Sequence, residues 1–120
     1  MTKERTLLLR KCDTAFSGYI RGRDGSCLKC GSFGPLECAH IIPRKNHKLR
    51  CDTRNAVTLC SGCHHVFTNG PKLEWEQFID GKFGDEFYLN LHLEALDVTF
   101  KSNILFWRSE WARLKELEAT

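Results

Sequence analysis

Two cysteine pairs constrain this chain more than anything else in it: Cys27-Leu28-Lys29-Cys30 and Cys60-Ser61-Gly62-Cys63. Thiolates two residues apart on tight turns supply two ligands each to a tetrahedral ion, so the four together predict one structural zinc. The 29 residues between the pairs are more than a compact zinc finger needs, and they can form a hairpin that carries something else. Seven cysteines would suggest disulfides in a secreted chain, but the number is odd and Met-Thr-Lys-Glu-Arg-Thr leads into only three leucines, too few for a secretory segment. Cys12, Cys38 and Cys51 have no partner two residues away and read as buried thiols.

Periodicity organises the rest. Residues 4–21 predict a helix with Leu8, Cys12, Ala15, Phe16 and Tyr19 on one face, stopped by Gly22 and Gly25 and packed over the zinc core. Residues 36–42 predict a strand, with Leu36, Cys38, His40 and Ile42 alternating onto one face and Pro43 ending it. A polar loop over 43–54, with Asn46-His47 at its tip, leads to a partner strand at 56–59, and 64–68 begins a short helix. Pro71 suits the first turn of another helix with Trp75, Phe78 and Ile79 inward. Asp85 is expected to cap a further one carrying Tyr88, Leu91, Ala95 and Leu96. Val98-Thr99-Phe100 reads as extended, and Ser102 or Asn103 caps a last helix with Ile104, Trp107, Trp111 and Leu114 on one stripe. Trp107 and Trp111 read as core rather than as a base-stacking platform. No apolar run approaches the ~18 residues of a membrane span.

Three short runs carry chemistry: His40 in Ala-His-Ile-Ile-Pro-Arg, Asn55 in Arg-Asn-Ala-Val-Thr-Leu-Cys, and His64 in Cys-Ser-Gly-Cys-His. Together they resemble the HNH endonucleases of the His-Me finger (ββα-metal) superfamily, over about residues 25–70. The continuation through Phe67-Thr68-Asn69-Gly70-Pro71 and Leu73-Glu74-Trp75 is similar to HNH proteins common in bacteriophage and prophage genomes. The resemblance implies an α+β fold: a zinc-stapled ββα-metal core at about 25–70, an N-terminal helix, and a helical extension over 71–120, in one domain of 1–120. It implies a metal-dependent DNA endonuclease that hydrolyses phosphodiester bonds by nicking or double-strand cleavage. The alternative is a non-catalytic zinc-stabilised DNA-binding or phage packaging accessory module, which would need none of the three residues. Expected partners are DNA and phage packaging or recombination proteins, for a monomer or homodimer in the cytoplasm, that of a bacterial host if phage-encoded.

The resemblance also distributes roles. His40 stands at the general base, and an imidazole suits water activation near neutral pH. Asn55 stands at the residue that pins the loop and orients the base, although direct metal ligation by it stays open. His64 stands at the ligand for a divalent ion such as Mg²⁺, Mn²⁺ or Ni²⁺, and His65 would point elsewhere on a helix. The chain departs from the pattern at Ala39, where many relatives place an Asp or His ligand. Glu37, on the same strand face, could replace that ligand only with distortion. Between Pro43 and Arg54 lie Arg44, Lys45, Lys48, Arg50 and Arg54 against one acid, Asp52, a cluster suited to phosphate contacts. Arg44 is the candidate grip on the phosphate flanking the cleaved bond. The net charge of +3 is by itself a weak hint of nucleic acid.

Overall fold

The structure is a computed structural model and describes residues 2–119. It is an α+β arrangement of one antiparallel hairpin and five helices: α1 (Lys3–Asp24), β1 (Leu36–His40), β2 (Ala56–Cys60), α2 (Ser61–Asn69), α3 (Lys72–Phe83), α4 (Phe87–Ala95) and α5 (Ile104–Ala119). The strands pair in the register Leu36↔Cys60 to His40↔Ala56, and α2 follows β2 directly. This is the strand–loop–strand–helix order read from the periodicity, the ββα unit that the resemblance implies.

Helix α1 is longer than its glycines suggest. It passes through Gly22 because the next two side chains are anchored: Arg23 donates to the carbonyls of Thr53 and Ala56, and Asp24 accepts from the Thr58 amide at 2.9 Å. Gly25, at φ 73°, then closes the helix, its amide donating to the Arg21 carbonyl. The buried stripe is Leu9, Cys12, Ala15, Phe16 and Ile20, one residue on from the expected face at both ends. This stripe packs on α5 and the hairpin rather than over the zinc knuckles, in a core with Cys51, Ala56, Trp107 and Leu114.

The other face of the hairpin supports a second core, in which Ala39, Val57 and Leu59 meet Cys27, Ile41, Ile42, Leu49, Ile79, Tyr88 and Leu91. Strand β1 stops at His40, short of Ile42, because Asn55 takes over the hydrogen bonding beyond that point. Of the expected lone thiols, Cys12 and Cys51 are buried and Cys38 is half-buried.

The helical half departs from its local signals in three places. Glu86, in the left-handed region at φ 68°, precedes α4, and Asp85 caps nothing; the Asp80 carboxylate accepts from the Tyr88 amide instead. Leu96 lies beyond α4 and is exposed, so the inward stripe ends at Leu91 and Ala95. Val98-Thr99 is a turn rather than an extended segment, because Asp97 accepts from both the amide and the hydroxyl of Thr99. Asn103 caps α5 through a 3.0 Å bond from the Phe106 amide. Trp107 is fully buried, with its indole N–H on the Ser102 hydroxyl. No helix among the described residues is long and apolar enough to cross a membrane.

Candidate functional site

The cysteine frame closes as its spacing requires. The sulfurs of Cys27, Cys30, Cys60 and Cys63 all lie within 4.8 Å of one another, and Cys30 and Cys60 are 3.7 Å apart. Four sulfurs about 2.3 Å from a tetrahedral ion stand roughly 3.8 Å from each other, so the cluster fits a metal such as zinc. Each knuckle turns an amide onto its leading sulfur: Cys30 N to Cys27 Sγ at 3.5 Å and Cys63 N to Cys60 Sγ at 3.4 Å. Burial pushes the Cys27 thiol up, but N–H groups of Cys30, Cys60 and Lys29 outweigh it and hold the thiol at about 6. Burial and the three neighbouring sulfurs push Cys63 up to about 12. Four thiolates this close need a cation between them. Because Cys60 is the residue that caps α2, a filled cluster also anchors the start of that helix.

Asn55 is fully buried at the foot of β2. Its Oδ1 accepts from the Ile42 amide at 2.7 Å, and its Nδ2 donates to the carbonyls of Ile42 and Leu49 at 3.0 Å each. One side chain thus ties together the beginning and the later part of the loop after β1. The residue after Leu49 is Arg50, whose carbonyl lies 2.7 Å from His40 Nε2. A carbonyl can only accept, so His40 carries its proton on Nε2 and keeps the Nδ1 lone pair in the neutral ring. The Phe16 ring packs 5.5 Å from the imidazole. Burial lowers the His40 pKa below 6.5, helped by the charges of Arg44 and Arg50 and opposed by the Arg50 carbonyl and Asp13.

His64, in the first turns of α2, faces the strand. Its Nδ1 stands 2.8 Å from Glu37 Oε1, so the carboxylate fixes the Nδ1–H tautomer and leaves Nε2 free as a ligand atom. Glu37 therefore lies on His64 itself, a contact the strand pattern alone did not reveal. His65 turns away, bonded within α2 to Asn69. His47, at the loop tip, bonds the Ser102 hydroxyl at 2.6 Å and packs edge-on to Trp107, tying the loop to α5.

His40 and His64 line one cleft of about 210 Å³, with Ala39 between them on the strand and Lys72, Trp75 and Tyr88 on the far wall. His64 lines the cleft, and the Glu37 carboxylate lies behind it on Nδ1. The far wall comes from α3 and α4 and had no signal in the motif. Lys72 has no carboxylate within ion-pair distance among the described residues; its ammonium sits 5.8 Å from the centre of the Tyr88 ring.

The basic loop is less free than its composition implies. Arg44 and Arg50 share Asp13, Lys48 pairs with Asp97, and Arg54 pairs with Asp52 and Glu94. Only Lys45 of the five shows no such partner among the described residues. Three of the four carboxylate partners, Asp13, Glu94 and Asp97, come from outside the loop, which is why counting charges along 43–54 missed them.

No curated protein and no solved structure matches the chain. Residues 27–71, from the first cysteine of the cluster to the proline that precedes α3, match the model of a family described as HNH endonuclease, and it is this family that the ββα segment is similar to.

Proposed function

We propose that the chain is a metal-dependent DNA endonuclease that hydrolyses phosphodiester bonds to 5′-phosphate and 3′-hydroxyl ends. The observation that carries this reading is the shared cleft of His40 and His64, with lone pairs left on Nδ1 of one and Nε2 of the other. A pure binding module would need neither imidazole.

His40 Nδ1 takes the proton of the attacking water, and burial keeps the ring neutral at pH 7. Asn55 keeps the loop, and through it the Arg50 carbonyl, at the distance that holds the ring. His64 would hold the divalent ion through Nε2, with Glu37 fixing the ring's tautomer and orientation from behind. The ion, when bound, stabilises charge on the phosphorane-like transition state and on the leaving 3′ oxygen. With Ala39 offering no ligand, His64 would be left to hold the ion with few other protein groups, a setting open to Mg²⁺, Mn²⁺ or Ni²⁺. Lys72 and Lys45, with no ion-pair partner among the described residues, supply cations for phosphate, and Arg44, 58% exposed, can leave Asp13 for it. The zinc of the cysteine cluster is structural. The segment after the second knuckle favours an enzyme of bacteriophage type working in a host cytoplasm.

Incubation of the purified chain with supercoiled plasmid and each ion tests this. Nicked circles are expected from the wild type, and His40→Ala should lower the rate by ~10²–10⁴ while staying folded. Plasmid binding without any nicking under all three ions would favour the binding module instead.

A further inference from the structure

The loop that holds the His40 ring is itself held from outside the matched segment. Asp13, on α1, accepts from Arg50 Nε through Oδ1 at 2.8 Å and from Arg50 Nη2 through Oδ2 at 2.5 Å. This is the bidentate fork, and it is well shielded: the Arg50 side chain is 12% exposed and that of Asp13 23%. Asp13 Oδ2 also accepts from Arg44 Nη2 at 3.0 Å, and Arg50 Nη1 donates to the Arg44 carbonyl at 3.4 Å. Both ends of the loop from Arg44 to Arg50 therefore converge on one carboxylate.

Arg50 is the residue whose carbonyl receives His40 Nε2–H. The planar fork tethers the Arg50 side chain to α1 and so limits how far residue 50, with its carbonyl, can move from the ring. Asp13 lies three residues before Phe16, on the same side of the helix, and Phe16 packs on the His40 ring. The helix thus bears on the imidazole in two ways, directly through the Phe16 ring and indirectly through the Asp13–Arg50 pair. The docking of α1 already rests on Cys12, Phe16 and Ile20 in the core with α5 and on the bonds of Arg23 and Asp24 to the hairpin. The carboxylate is left with a different task.

We propose that Asp13 is a positioning residue of the nuclease site, acting through Arg50 to fix the carbonyl that sets the tautomer and orientation of His40. The proposal rests on the nuclease reading for its kinetic consequence but not for its geometric one. It makes α1 part of the active enzyme, so that residues 27–71 alone are an incomplete catalytic unit.

The test uses the full chain with zinc bound and compares Asp13→Asn, Asp13→Glu and Arg50→Lys with the wild type. Long-range ¹H–¹⁵N spectra report the protonated nitrogen of His40 directly, with or without activity. The wild type should show His40 as one Nε2–H tautomer, and Asp13→Asn and Arg50→Lys should show a mixture. Nicking under single-turnover conditions should lose roughly 10–100-fold in maximal rate, with the DNA concentration for half-maximal rate nearly unchanged. Asp13→Glu, which keeps the fork, should recover most of both signals. Should Asp13→Asn unfold, Arg50→Lys decides, because it keeps the charge and loses the fork, along with the long Nη1 bond to the Arg44 carbonyl. A wild-type His40 spectrum in a folded Arg50→Lys or Asp13→Asn protein overturns the proposal. Absence of nicking by the wild type, with the tautomer shift still present, would instead sink the nuclease reading and leave the positioning intact.

Discussion

An imidazole serves as a base only when one nitrogen is occupied and the ring is neutral where the enzyme works. For His40 both conditions follow from its surroundings: the Arg50 carbonyl takes the Nε2 proton, and burial disfavours the charged ring. Burial lowers its pKa from 6.5, so the neutral ring that the proposed base needs is dominant at pH 7. The sign for activity is therefore a rate that is flat at neutral pH and falls as pH drops below 6.5 through the folded pKa. The sign for stability is the same. The folded state favours the unprotonated ring, so that contribution is fully present above 6.5 and is lost as pH falls through the folded value. Nicking rates and melting midpoints measured from pH 5 to 8 check both, and an activity break above pH 7 would contradict the assignment of the base. His47 shifts in the same direction, by burial and by the charges of Arg50 and Arg5, so His47→Gln separates its share of the stability change.

The element most exposed to single changes is the loop between β1 and β2. Ladder pairing ends at His40↔Ala56, and the chain beyond holds its shape through the Asn55 side chain rather than through a strand. Asn55→Ala would leave the Ile42 amide and the Ile42 and Leu49 carbonyls without their partner in a buried place. A buried polar group left unpaired costs ~1–3 kcal/mol, so a loss of about 3 kcal/mol in unfolding free energy is expected once the loop relaxes. Asn55→Asp keeps the acceptor for Ile42 N but faces two carbonyls with no donor, and should be nearly as damaging. Denaturant titration of both variants measures this. A loss under 1 kcal/mol for Asn55→Ala would mean that the loop is held mainly by its tip, through Asn46 on the Ala95 carbonyl and His47 on Ser102.

For the whole molecule the hairpin is the shared wall of two cores. Ala56 belongs to the core with α1 and α5, while Val57, its neighbour in sequence, belongs to the core with α3, α4 and Cys27. The cysteine cluster adjoins only the second, yet loss of an ion held there should reach both, because neither core keeps its floor without the hairpin. Metal analysis is expected to find one zinc per chain. Cys30→Ser, or chelation, should lower the melting midpoint in one transition in which the indole signals of Trp75 and Trp107 disappear together. Trp75 flanks the cleft and Trp107 lies at the centre of the other core, so separate transitions would show that the cores fold independently.

Much of the site was legible in the residues between Cys27 and His64, since sequence spacing determines local geometry. Two residues between thiolates make a knuckle, period-two alternation makes the strands, and a histidine just after a knuckle falls in the first turns of the helix that the knuckle caps. Tertiary packing decided what those side chains meet. Asp13 reaches Arg50 across 37 positions, and Lys72 and Tyr88 close the cleft from helices whose apolar stripes indicate that they pack but not where. The charge of the 43–54 loop could be counted along the chain, but its neutralisation by Asp13, Glu94 and Asp97 could not. Ion pairs and hydrogen bonds act over a few ångströms in space, and only the docking of α1, α4 and the turn after it onto the hairpin brings these groups within that range.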